Sequence, residues 1–208
     1  MNDLRPLIHA ERRALVERLR LVTDDQWLMP SLCDGWSIHD VTAHLVSPFV
    51  VSRGELVRTV LRTRSISKAM DDRAHSISAR WTPSELIDLL AENATVDFHP
   101  PGLPYHAPLT DIVAHSCDIR WALGDDHADW GDRERVRPIL EFLTGPKARA
   151  GFVPRTRLAG LRLHATDLGW QHGDGAEVAG PALSVALAVL GRSVAAADLT
   201  GAGVAALA

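Results

Sequence analysis

The hydrophobic pattern of this chain changes period once, and that change limits its architecture more than any other feature. Up to about residue 144 apolar residues recur at three- and four-residue intervals; beyond about residue 160 they alternate. A long helical part followed by a short piece containing strands is therefore expected. Leu4, Ile8, Leu15, Leu19 and Val22 share one face of a helix over residues 3–22. Glu11 lies on that face and is read first as a rim position with its head in water, or else as a support for a metal ligand. Ser37, with Asp40 three residues on, caps a second helix expected to run to about Arg64 with a kink at Pro48. Residues 65–80 read as a polar connection, helical at most in part.

Thr82-Pro83-Ser84-Glu85 starts a third helix, over about 83–98. A proline-rich loop follows, then a fourth helix over about 109–123, stopped by Gly124. Four long amphipathic segments suggest a four-helix bundle. A further helix spans about 132–144. Leu161, Leu163 and Ala165 alternate with Arg162, His164 and Thr166 as a strand; QHGDG reads as a hairpin-like turn, AEVAG as a second strand, and a helix runs from Pro181 to Gly191. The expected division is residues 1–150 as bundle and 151–208 as a small C-terminal α/β segment.

Composition narrows the functions. A net charge of −4 gives no basic excess for nucleic acid. The charged N-terminus lacks an apolar signal core, no apolar run is long enough to span a bilayer, and Cys33 and Cys117 are too few for a disulfide framework, so a cytoplasmic protein is expected. Ten histidines direct attention to metal chemistry.

Asp111 and His115 stand four residues apart and project from one face of the fourth helix, with Asp118 joining them. His44 is offered by the second helix among core-facing neighbours. Asp-x-x-x-His from one helix and His from another is a way for a bundle to build a metal site. Two imidazoles and a carboxylate suit zinc and leave a fourth position open, as a catalytic ion requires. Spacing alone is also compatible with a surface ion pair and a satisfied core histidine. Cys33 reads as a small filler, Cys117 as facing away from His115, and Trp36 as packing at the entrance of the second helix. Asp118 and Arg120 are read as an ion pair or as groups that orient a ligand imidazole. His99 and His106 read as solvated.

The stretch LCDGWSIHDVTAHLV, residues 32–46, resembles the signature of the mycothiol-dependent maleylpyruvate isomerase family, one of the damage-inducible-B (DinB)-like metal-binding bundles. LTDIVAHSCDIRWALG (109–124) is similar to its second signature, and LAGLRLHATDLGWQHGDGAEVAGPALSVALAVLGR (158–192) resembles its C-terminal segment. The resemblance implies a DinB-like four-helix bundle, a metal triad of His44, Asp111 and His115, and mycothiol as thiol cofactor or co-substrate. Those isomerases commonly carry glutamate where this chain has Asp111, which brings the metal closer to the fourth helix. The function so implied is thiolate attack on a small electrophile, of isomerase or S-transferase type. A metal-dependent hydrolase and a non-catalytic metal-binding regulator are the alternatives. The expected partners are a small-molecule thiol and an electrophilic substrate, with no nucleic acid or membrane, in a monomer or homodimer.

Overall fold

The computed structural model describes residues 3–125, 133–154 and 156–208. The fold is mainly α, with a three-stranded sheet near the C-terminus. Two compact units can be distinguished: Met1–His99 with Asp111–Asp125, and Pro100–Thr110 with Asp126–Ala208.

The first unit holds α1 (Arg5–Leu19), α2 (Asp24–Trp27), α3 (Ile38–Val50), α4 (Arg53–Thr63), α5 (Ile66–Ser78), α6 (Pro83–Glu92) and, from Asp111 on, α7 (His106–Ala122). Helix α1 buries Ile8, Leu15 and Leu19 of the expected face, with Leu4 just ahead of it, and buries Val16 as well; it stops at Leu19, so Val22 lies beyond it and is half-buried. Glu11 is buried with them at 8% exposure, so the reading of it as a wet rim position is corrected. Ser37 caps α3 as its sequence requires: its backbone N–H donates to Asp40 Oδ2 (3.0 Å), and its hydroxyl accepts from the Asp40 N–H (3.2 Å). Thr82 and Glu85 form the same box on α6.

Three helical expectations change. The second helix does not continue to Arg64 through a kink. It stops at Val50, and Val51 is extended before α4 begins. Pro48 has no N–H to give the His44 carbonyl, which weakens the helix one turn before its end. The end is then fixed from outside, because Arg73 Nη2 donates to the Ser47 carbonyl (3.0 Å). The presumed connection 65–80 is largely helix α5. Its buried face is Ala69, Arg73, Ala74 and Ile77, with a single large apolar residue that leaves little apolar signal, while the alanines permit close packing on α3. The third helix ends at Glu92 rather than near 98. Asn93 Nδ2 donates to Leu89 O (2.8 Å), while Arg12 Nη1 donates to the carbonyls of Asn93 (3.3 Å) and Val96 (2.7 Å). These side chains satisfy carbonyls that another helical turn would have used.

The second unit holds α8 (Arg133–Thr144), β1 (Leu161–Ala165), β2 (Trp170–His172), β3 (Ala176–Gly180) and α9 (Ala182–Val189). Residue 132, the expected start of α8, lies outside the described residues. Leu161, Leu163 and Ala165 point inward, as alternation demanded. The QHGDG segment, however, is not a hairpin turn. Strand β1 pairs antiparallel with β2 on one side and parallel with β3 on the other, in the order β2-β1-β3. The chain returns past the start of β1 at Gly175, where φ is +143° and a Cβ would overlap the Gly160 carbonyl; only glycine fits. Every residue of α9 is buried, and Arg157 closes its C-terminus by donating to the carbonyls of Val189 and Ala188 (both 2.9 Å). Among the described residues no helix is long and apolar enough to cross a membrane.

Candidate metal centre

The site lies within the first unit. His44 sits on the second turn of α3, and Asp111 and His115 are one turn apart on α7. His44 Nε2 lies 3.5 Å from Asp111 Oδ1, and His115 Nε2 lies 3.6 Å from the same oxygen. The two imidazole centroids are 4.9 Å apart with their planes at 67°. Tetrahedral nitrogen and oxygen ligands about 2.0–2.1 Å from an ion lie about 3.3 Å from one another. The observed spacings are that edge with a few tenths of an ångström to close. The histidine side chains are nearly buried, at 14% and 11% exposure, whereas Asp111 is 37% exposed. The triad is therefore walled by protein on the imidazole side and open beside the carboxylate. This donor set fits a borderline divalent ion such as zinc.

His115 is held from its far edge. Asp118 is fully buried, and its Oδ2 accepts from His115 Nδ1 at 2.9 Å. A carboxylate on the far nitrogen fixes the tautomer and aims Nε2 at the centre. Burial alone would lower the basicity of this imidazole. The hydrogen bonds to Asp118 and Cys33 and the charges of Asp111 and Asp118 outweigh it, and the His115 pKa is pushed up to about 10. Without a metal the ring is thus a cation, and a metal must displace its proton.

The loop ahead of α3 contributes two residues that sequence reasoning had given only packing roles. Cys33 is half-buried, not a core filler; its thiol donates to Asp118 Oδ2 (3.1 Å) and its sulfur lies 3.7 Å from His115 Nδ1. The Trp36 ring lies 5.1 Å from that of His44 and 6.1 Å from that of His115, nearly parallel to the latter. The Trp36 indole N–H donates to Asp71 Oδ1 on α5 (2.8 Å). Their signal was position: the short CDGW run abuts the cap of the helix that carries His44.

The remaining expected residues divide. Glu11 is buried on α1. Arg120 Nε lies 3.7 Å from Asp125 Oδ2. Arg12, next to Glu11, is 5% exposed; its guanidinium lies 5.1 Å over the Phe49 ring and its charge acts on Asp111. Cys117 is buried on α7. In the second unit, His106 is half-buried rather than solvated, stacks near Phe142 at 6.3 Å, and is made less basic by burial.

Residues 8–97 match the family model described as the mycothiol maleylpyruvate isomerase N-terminal domain. That match covers 90 of the chain's 208 residues, in its N-terminal part. No curated protein matches the chain in sequence. Two solved structures are similar over 95% of this chain and 91% of their own. One is a histidine-to-alanine mutant of the mycothiol-dependent maleylpyruvate isomerase, at 14% identity and a TM-score of 0.60. The other is that isomerase, at 16% and 0.57. At such identities the likeness is one of fold, and the chemistry of this chain rests on its own residues.

Proposed function

We propose that this chain is a thiol-dependent enzyme of isomerase or S-transferase type, with a divalent metal, most readily zinc, held by His44, Asp111 and His115. The observation that carries the reading is the convergence of two imidazoles and one carboxylate, open on the carboxylate side, in a chain whose residues 8–97 match the isomerase family's N-terminal domain. An ion held there supplies the positive charge that keeps a thiol sulfur ionised near neutral pH, ready to attack an electrophilic carbon.

The protein's residues set the conditions for that chemistry. Asp118 holds the proton of His115 on Nδ1, leaving Nε2 free to ligate. Trp36 covers the imidazoles and keeps water from that side. Asp111, the more exposed member of the triad, leaves room for thiol and electrophile to approach together. Mycothiol is the thiol this reading assigns, by family, and a cytoplasmic setting follows from a small-molecule thiol partner.

Two measurements test the reading. H44A, D111A and H115A should each lose bound metal by elemental analysis while keeping their helical circular dichroism; full metal content in all three would remove the site. Calorimetry on the metal-loaded protein should show tight binding of mycothiol and none of its S-methylated analogue, because a thioether cannot ionise. Equal affinity for both would separate the sulfur from the metal and leave a hydrolytic or non-catalytic centre.

A further inference from the structure

His115 has two nitrogens and both edges of its ring are occupied. Nε2 faces Asp111 and His44; Nδ1 faces Asp118 and Cys33. The second group has a composition of its own, a thiol, an imidazole and a carboxylate. Its atoms are 3.7 Å apart for sulfur and nitrogen, 3.1 Å for sulfur and oxygen, and 2.9 Å for nitrogen and oxygen. We propose that Cys33, His115 and Asp118 form a second cation position, selective for thiophilic divalent ions, which competes with the first for His115.

Hydrogen bonding accounts for an imidazole beside a buried carboxylate, but it gives no reason for sulfur there. A thiol is a weak donor, and a serine hydroxyl in the same place would satisfy Asp118 better. As a ligand the preference reverses, since thiolate is the softest donor in the chain's repertoire. Around a tetrahedral ion with sulfur at about 2.3 Å and nitrogen or oxygen at about 2.0–2.1 Å, a sulfur–nitrogen edge is about 3.6 Å and a nitrogen–oxygen edge about 3.3 Å. The sulfur–nitrogen spacing already matches. The carboxylate oxygen has to retreat from sulfur by about 0.5 Å, and Cys33 stands in a half-buried loop through which an ion can enter.

Proton balance makes the two positions exclusive. A divalent ion entering this group replaces two protons, one from the Cys33 thiol and one from His115 Nδ1. The remaining imidazole proton then sits on Nε2, pointing at Asp111. A neutral imidazole has only one lone-pair nitrogen, so His115 cannot serve the first centre while it serves the second. A soft ion on the Cys33 side would thereby empty the first centre without touching His44 or Asp111.

The test uses the full metal-free chain and Cd2+, read by thiolate-to-metal charge-transfer absorption in the ultraviolet. Wild type, C117S and H44A should each develop this absorption, saturating at one equivalent. C33S should not, and C33A repeats the test with a different side chain, with circular dichroism confirming the fold of each. Preloading wild type with one equivalent of Cd2+ should weaken subsequent Zn2+ uptake at least tenfold, and C33S should relieve that block. No absorption in wild type, absorption that survives C33S, or absorption lost in H44A would overturn the proposal; the last would place sulfur in the first centre. These readings stand apart from the catalytic proposal, which fails or survives on the thiol measurements.

Discussion

Replacing Asp118 with asparagine keeps the shape of the residue behind His115 and removes its charge. The consequence can be worked through proton competition. With His115 at about 10, metal binding to the wild-type chain must expel a proton throughout the neutral range. Apparent affinity should then rise about tenfold per pH unit, or about 100-fold from pH 6.5 to 8.5. In D118N the chief support for the proton is gone. If the ring returns to its ordinary value of about 6.5, the same two units bring only about a twofold gain from this group. Loss of the carboxylate also weakens the metal–nitrogen bond itself, by about 10- to 100-fold for partners of this kind. Proton competition favours D118N by about 1,600-fold at pH 6.5 but only about 30-fold at pH 8.5, so D118N should bind more tightly at pH 6.5 and the wild type should draw level near pH 8.5. Zn2+ affinity of both proteins, measured by competition against a chromophoric chelator at half-unit intervals, reports this directly. Parallel profiles would refute the argument, since Asp118 would then not be what holds the proton on His115.

Two further outcomes follow from the same structure. The folded-state pKa of His115 is raised above its unfolded value, so its contribution to the stability of the metal-free protein is full below about pH 6.5 and fades toward pH 10; urea unfolding at pH 6.5 and 9.5 should show that loss in wild type and a smaller one in H115Q. Leu163→Ala removes a side chain that is 1% exposed at the centre of β1 and should cost about 2–5 kcal/mol in denaturant unfolding, while metal content per folded chain stays unchanged.

What the sequence disclosed depended on how local the cause was. The Ser37 and Thr82 caps were legible because each box closes within four residues. The spacing of Asp111, His115 and Asp118 was legible because a helix converts sequence distance into direction. Helix α5 was not, since its buried face is alanine, arginine and one isoleucine, and what orders it is distant. Ser78 donates to Asp40 (2.5 Å), Arg73 to the Ser47 carbonyl, and Asp71 receives the Trp36 indole. Strand alternation identified β1 and β3 but carries no information on partners, so the parallel pairing went unseen. Cys33 was passed over for a similar reason: nothing in its neighbourhood of sequence mentions Asp118, 85 positions away.

The end of α3 at Val50 bears on how this chain can change in length. An insertion inside a helix turns everything beyond it by about 100° per residue. Because the helix is interrupted at Val51, a residue gained or lost in α4 or in the turn before α5 passes no rotation back to His44. The stretch from Asp111 through His115 to Asp118 has no such interruption. One added residue between Asp111 and His115 would swing the carboxylate about a quarter turn from both imidazoles. The α3 side of the centre is buffered against length change downstream, and the α7 side allows none.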